Sequence, residues 1–142
     1  MEDKNDFKEF ENQFGTGNFD QIWIDRFQFF QKFGAPNTAN YKAGLKEREG
    51  FIAKARINMN FYAFLFGFIY FFVKGMWKAG FTVLGISIAV ITFSFLLPDN
   101  IADVLSRFTG IAISILAGRS ANYTYYRQKV LNEDDFNIFK GL

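Results

Sequence analysis

Two long apolar stretches in the second half of the chain leave it few ways to fold. Residues 81–97, FTVLGISIAVITFSFLL, form a run of 17 residues without a charged side chain, and residues 104–118 contain one charge, at Arg107. At about 1.5 Å per residue, a helix of the first stretch nearly crosses a hydrocarbon core of roughly 30 Å. Because lipid offers the backbone no hydrogen-bond partners, the two stretches are predicted to form a membrane-spanning helical hairpin.

The alternative is a buried core hairpin of a soluble protein, since 17 residues lie at the short end of the spanning range. Residues 79–126 carry only Asp99, Asp103, Arg107 and Arg119 as charges, whereas the first 60 residues are polar. A soluble domain would have to cover three apolar stretches with those roughly 60 residues, which have aromatic side chains of their own to bury. The composition therefore favours the membrane.

A third apolar stretch, NFYAFLFGFIYFFVKGMWKAG at residues 60–80, precedes the hairpin. From Asn60 to Val73 it would reach only about 21 Å as a helix, which is short for a span. If it crossed, Lys74, Lys78 and the C-terminal cations would face outward, against the positive-inside rule. We therefore predict an interfacial or re-entrant helix over 58–73, and a short third span stays as the alternative.

In the two-span arrangement, the N-terminal region and the C-terminal tail are both cytoplasmic, and only PDNIAD with nearby Arg107 faces out. The predicted fold class is all-α. Its parts are a cytoplasmic amphipathic helical region (1–57), a membrane domain (58–131, with spans at 81–97 and at 102–120 continuing to about 131) and a cytoplasmic tail (132–142). Six residues are predicted to anchor the cytoplasmic interface: Lys74, Trp77, Lys78, Arg119, Tyr123 and Tyr126.

The N-terminal region is rich in aromatic residues at helical spacing. Phe7, Phe10 and Phe14 follow this period, and residues 19–33 place Phe19, Trp23, Phe27 and Phe30 on one face, ended by Gly34 and Pro36. A polar helix is predicted over residues 40–56. These helices are expected to form a cytoplasmic cap rather than to lie on the bilayer, because anionic lipid would repel their acidic residues.

Small residues recur at four-residue spacing in both predicted spans, which favours close helix packing in lipid. The rows are Gly85 and Ala89 in the first span, and Gly110, Ser114, Gly118 and Asn122 in the second. The rows fit a contact within one chain and self-association equally well, so the oligomeric state is left open.

The residue types argue against several chemistries. Cysteine and histidine are absent, which removes thiolate ligands, the commonest general base and the commonest metal ligand. No basic block indicates nucleic acid, and no phosphate loop or nucleophile and base pair is present. Lys74 and Lys78, with Arg119, Ser120, Asn122 and Tyr123, could hold an anionic headgroup, although such cations more often anchor helices at the interface. The sequence predicts a protein that is not an enzyme and has no metal or cofactor.

Three motifs resemble a family of small bacterial inner-membrane proteins classed as a domain of unknown function. They are Asn60-Phe-x-Ala-Phe-x-Phe-Gly67, Lys74-Gly-Met-Trp77 and Gly118-x-x-Ala-Asn-x-x-Tyr125. The resemblance covers residues 40–131 and implies an inner-membrane location and a shared fold, without a reaction or ligand. Phe68 stands where the family often has proline, the residue that would kink a re-entrant helix.

Three non-catalytic functions fit this sequence. The first is an inner-membrane protein that binds a protein partner, or serves as an accessory subunit of a membrane complex, through Phe19, Trp23, Phe27 and Phe30. The second is an immunity protein that neutralises a membrane-active toxin. The third is a lipid-binding or membrane-shaping protein that uses the interfacial segment and its flanking lysines.

Overall fold

The structure is a computed structural model that describes residues 8, 9, 12 and 19–142, and this part of the chain contains helices and no strands, in agreement with the predicted all-α class. The predicted helix with Phe7, Phe10 and Phe14 lies outside the described residues. From residue 19 onward the elements are α1 (Gln21–Phe33), α2 (Ala39–Glu47), α3 (Phe51–Asn58), α4 (Phe61–Phe66), α5 (Phe68–Val73), α6 (Trp77–Ser94), α7 (Asp99–Lys129) and a 3₁₀ helix (Ile138–Gly141).

Helices α6 and α7 are the two predicted apolar segments, and both are long and apolar enough to cross a membrane. In their most apolar 18-residue windows, only 17% of α6 and 11% of α7 is buried within the chain. The core helix of a soluble protein would be mostly buried, and these two helices are mostly exposed. Hydroxyls on its surface donate to the carbonyl four residues earlier, at Thr82, Ser87, Thr92, Ser94 and Ser106.

The apolar stretch before the hairpin forms two short helices instead of one. Gly67 separates α4 from α5 with φ 53° and ψ −129°, a conformation that side chains disfavour. The bend therefore forms without a proline, since Phe68 stands at the position where the family often has one. Helix α4 packs on α7 and α5 packs on α6, while Phe61, Tyr62, Leu65, Phe66 and Ile69 stay more than half exposed.

The N-terminal helices pack around the last turns of α7, where they form a small cap. The predicted polar helix over 40–56 is wrong as a single element, because Gly50 adopts φ 86° and divides it into α2 and α3. Thr38 caps α2 by accepting a hydrogen bond from the Tyr41 amide. An ion pair between Arg48 and Asp25 joins α1 to the loop that follows α2.

Of the six small residues predicted to pack the two spans, three are exposed and two lie against another segment, so their role in self-association stays a prediction. Gly85, Ala89 and Gly110 are exposed, and a Cβ atom on either glycine would meet no atom within 4 Å. Ser114 is half-buried. Gly118 and Asn122 do lie at a helix contact, but their neighbour is the segment around Asn60. A spacing of four residues defines a helix face and does not identify the element that covers it.

The bend at Gly67 gives a first testable prediction. Gly67→Ala places a Cβ atom on a backbone conformation that alanine rarely adopts, so the folded state should lose about 1–3 kcal/mol of stability. Thermal unfolding in mild detergent, followed by circular dichroism, would measure this loss. Gly110→Ala is the matched control because Gly110 is helical and exposed. It should be neutral or slightly stabilising, and equal melting temperatures for the two variants would contradict the assignment.

Candidate functional site

A buried polar junction joins α4 to α7. The Asn60 side-chain amide donates to Asn122 Oδ1 at 3.0 Å and to the Tyr70 hydroxyl at 2.8 Å, and its own oxygen accepts from the Ala63 amide at 3.1 Å. Asn60 and Asn122 are each 1% exposed. Because an unsatisfied buried amide is costly, these mutual hydrogen bonds fix where α4 meets α7.

The same junction also holds the end of α3. Asn122 Nδ2 donates to the carbonyl oxygens of Arg56 at 3.1 Å and Ile57 at 3.0 Å, which have no further helical partner where α3 ends. The backbone amide of Asn60 donates to the Gly118 carbonyl oxygen at 2.7 Å. A Cβ atom on Gly118 would lie 3.0 Å from Phe64 Cβ and 3.3 Å from the Asn60 carbonyl oxygen. Two of the motifs quoted above therefore meet in space.

The third motif, Lys74-Gly-Met-Trp77, forms the corner between α5 and α6. Gly75 has φ 76°, and its carbonyl oxygen accepts a hydrogen bond at 2.9 Å from the Gln128 side chain of α7. Met76 is buried. This corner places the Lys74 side chain next to α1 and the last turns of α7.

An aromatic pair with three cations around it lies beside this corner. The ring centroids of Trp23 and Tyr125 are 4.5 Å apart. The Arg26 guanidinium carbon lies 4.5 Å from the Trp23 ring centroid, and Lys74 Nζ lies 5.4 Å from Trp23 and 5.5 Å from Tyr125. Lys129 Nζ lies 5.5 Å from Tyr125. We call these five residues the cation–aromatic cluster.

Arg26 is the most buried cation of this cluster, with 8% of its surface exposed. Its Nε donates to the Arg56 carbonyl oxygen at 2.9 Å. Burial lowers the pKa of Arg26 to about 10, and the field of Arg56 also lowers it, while Asp25 and Tyr70 act in the opposite direction. The guanidinium still carries its charge at neutral pH, so the cluster remains positive.

The aromatic residues predicted to bind a partner are packed inside the cap. Trp23, Phe27 and Phe30 are 6%, 1% and 2% exposed, and Phe19 packs against the core. Phe27 and Phe30 contact Tyr126 of α7, with centroids 5.9 Å and 5.5 Å away. A partner that bound these rings would first have to separate α1 from α7, so the partner-binding role of this face stays a prediction.

The six predicted interface residues have different surroundings. Trp77 is 58% exposed and Arg119 is also exposed, whereas Tyr126 is 4% exposed and Tyr123 is half-buried. Lys78 binds the tail, because its Nζ donates to the Asp134 carbonyl oxygen at 2.8 Å and lies 3.4 Å from the carboxylate. Lys74 belongs to the cation–aromatic cluster. Only some of the set could therefore anchor the chain in lipid.

The tail folds back onto the hairpin through Arg127, which the sequence did not single out. Arg127, 2% exposed, donates to Asp135 Oδ2 at 2.5 Å, to Glu133 Oε2 at 3.0 Å and to the Asn137 carbonyl oxygen at 3.2 Å. These hydrogen bonds and Lys140 hold the pKa of the Asp135 carboxyl well below its usual range. The sequence feature that could have indicated this contact is the acidic run at residues 133–135, EDD, which follows α7.

The site brings together buried amides, aromatic rings and cations. Within the residues that the structure describes, no group of three or more acidic side chains could hold a metal ion. The buried amides of Asn60 and Asn122 bond to each other and to backbone. Two buried side-chain oxygens, Thr124 Oγ1 and Gln128 Oε1, have no hydrogen-bond partner within the described residues, and the cations of the cation–aromatic cluster lie over aromatic rings.

This fold and these motifs define a small helical protein with a hairpin apolar enough for a membrane. The family described as "Protein of unknown function (DUF2628)" matches residues 6–130, and the chain belongs to this family. The match begins well before residue 40, where the resemblance was predicted to start. The cap therefore belongs to the family fold.

Relatives at about one third identity occur in enterobacteria. The chain is 32% identical over 121 residues to "Uncharacterized protein YigF" of Escherichia coli (strain K12), and the match covers 80% of this chain and 87% of the relative. It is 30% identical, with the same coverage, to the protein of that name in Salmonella typhimurium. No solved structure matches the chain.

The polar junction gives a second prediction. Asn122→Ala leaves the Ile57 carbonyl without its side-chain donor and removes one of two hydrogen bonds from the Asn60 amide and from the Arg56 carbonyl, so it should cost on the order of 1–3 kcal/mol. Asn60→Ala should cost a similar amount, and the double variant should cost less than the sum because the pair is coupled. Unfolding in detergent would measure the three costs. The exposed Asn100→Ala should be neutral, and strict additivity would contradict a direct contact.

The tail gives a third prediction, with a defined pH dependence. Asp135 has a lowered pKa in the fold, so its carboxylate stabilises tail docking above about pH 4, its ordinary value, and this contribution is lost as pH falls below that. Asp135→Asn should therefore speed amide hydrogen exchange in residues 132–142 at neutral pH. Asp134→Asn is the control, since its contact with Lys78 is half exposed, and an equal effect would contradict the Arg127 clamp.

Proposed function

We propose that this chain is a non-catalytic protein of the bacterial inner membrane that binds a protein partner there. The observation that carries the membrane part is the exposure of α6 and α7, whose apolar windows are 17% and 11% buried. A hairpin this apolar needs lipid or another chain around it. Relatives from enterobacteria support a bacterial setting.

The charges support an orientation with both termini in the cytoplasm. Lys78, at the start of α6, contacts the C-terminal tail, and α1 packs on Tyr125 near the end of α7. Both terminal regions therefore lie at one end of the hairpin, together with Lys74, Lys78, Arg119 and Lys129. The opposite end carries Asp99, Asp103 and Arg107. The positive-inside rule then favours the cytoplasm for the first end.

The start of α3 is the surface we assign to a partner. Phe51 is 85% exposed and Ile52 is 66% exposed, on a cap whose other large rings are mostly buried. Two adjacent apolar side chains on a charged surface are typical of an anchor that a partner pocket covers. Lys54 and Arg56 on the same helix would supply a polar rim.

The immunity and lipid-binding roles predicted from the sequence stay predictions. Both are compatible with a membrane hairpin, and the exposed residues of α3 do not separate a toxin from any other protein partner. The identity of a bound protein would decide between an accessory subunit and an immunity protein.

Single-cysteine variants test this proposal without background, because the chain has no cysteine. Cysteines are placed at Phe51, at Asn100 in the first turn of α7, and at the exposed Lys42 of α2 as control. A membrane-impermeant thiol reagent should label position 100 in intact cells, and positions 42 and 51 only after lysis. A photoactivated crosslinker on position 51 should then capture another polypeptide, and on position 42 it should not.

Two outcomes would contradict the proposal. Labelling of position 51 from outside would reverse the orientation, and labelling of position 100 only after lysis would mean that the hairpin is not inserted. Crosslinks from position 51 to lipid alone would remove the partner role and leave the membrane assignment standing.

A further inference from the structure

The cation–aromatic cluster has more positive charge than its surroundings balance. Within the part of the chain that the structure describes, no carboxylate oxygen lies within 4.0 Å of the charged nitrogens of Arg26, Lys74 or Lys129. Other cations nearby do have such partners, since Arg48 pairs with Asp25 and Lys78 with Asp134. The cluster is therefore a local excess of cations.

The aromatic rings do not remove this excess. A cation over a ring gains about 0.5–1 kcal/mol at an exposed site, but the ring carries no net charge to neutralise it. Lys74 shares the Trp23 ring with Arg26 and the Tyr125 ring with Lys129, so three like charges surround one ring pair. Asp25 influences Arg26 from a longer distance and is itself paired with Arg48. Like charges held this close favour the binding of an anion.

Several residues that neighbour the cluster in sequence have exposed apolar side chains. Val73, adjacent to Lys74, is 78% exposed, and Trp77, three residues further along, is 58% exposed. Ile22 of α1, next to Trp23, is 45% exposed. Beyond Trp77 the apolar surface continues along α6. An occupant that satisfied both surfaces would have an anionic head and a hydrocarbon tail.

We propose that the cation–aromatic cluster binds the phosphate group of an anionic phospholipid, with the acyl chains along Val73 and Trp77. The Lys74 and Lys129 ammonium groups supply the charge, and the buried Arg26 guanidinium lies behind them against Trp23. The proposal rests on the membrane insertion proposed above. It differs from the headgroup site expected from the sequence, because Lys78 is occupied by the tail and the place of Arg119 is taken by Arg26 and Lys129.

The test uses the full chain in a neutral detergent, with native mass spectrometry to count bound lipid. Phosphatidylglycerol should bind saturably with one molecule per chain, and phosphatidylcholine should bind more weakly by about tenfold, a difference of about 1.4 kcal/mol. The double variant K74Q/K129Q should weaken phosphatidylglycerol binding by a similar factor. K42Q/K46Q removes the same charge from exposed positions of α2 and should change the affinity less than about twofold. K74R/K129R keeps the charge and should retain binding.

Several results would overturn the lipid site. Equal affinity for the two lipids would do so, as would an equal loss in K42Q/K46Q, which would indicate general surface charge. Displacement of the lipid by inorganic phosphate at a similar concentration would assign the site to a free phosphate group. Circular dichroism of K74Q/K129Q checks that the fold is intact, and an unfolded variant leaves the lipid comparison and K74R/K129R to decide. Because this assay is done in detergent, its failure is distinguishable from a failure of membrane insertion in the labelling experiment.

Discussion

The hydrogen bond between the buried amides of Asn60 and Asn122 holds the parts of this protein together. Asn122 lies on the long helix α7, Asn60 begins α4, and the carbonyls of Arg56 and Ile57 end α3. Each group would be costly to bury alone, and together they satisfy one another. Where these amides meet, the cap, the bent segment and the hairpin acquire a single relative arrangement.

Aromatic packing then extends this arrangement toward the end of α7. The rings of α1 lie against Tyr123, Tyr125 and Tyr126, so the last three turns of α7 form the centre of the cap. Those turns are buried by protein, whereas the first half of the same helix is exposed. Helix α7 is therefore exposed in its first half and covered by protein in its last turns, and the change occurs near Gly118.

The cations near this boundary have two kinds of surroundings. Arg127 and Lys78 are paired with acidic residues of the tail, which closes the tail over the hairpin. Arg26, Lys74 and Lys129 instead lie on aromatic rings without such partners, and it is this difference that makes the cluster a candidate for an external anion. A carboxylate of the protein already occupies the cation with which it pairs. A cation without such a partner stays available for a lipid headgroup.

Much of the fold could be predicted because hydrophobic period and length carry its information. The helix of the first apolar stretch, predicted at 81–97, lies at Trp77–Ser94, and the helix predicted at 19–33 lies at Gln21–Phe33. Gly67 itself indicated where the apolar stretch divides into α4 and α5, but the absence of proline at position 68 argued against a bend. Gly50 lies within the predicted polar helix over 40–56, and its positive φ divides that helix in two.

The candidate site was less accessible, because its residues are distant in sequence. Asn122 was placed in a small-residue row, where spacing gave its face but not its neighbour Asn60, which lies 62 positions away. Trp23 and Phe27 were recognised as one apolar face, yet burial by α7 decided that they form a core. The sequence by itself determined the helices and the apolar hairpin, since these follow from local period and composition. Only the tertiary structure decided which faces are covered, because covering a face requires contacts between segments that are distant in sequence, and the local pattern of one segment does not identify the other.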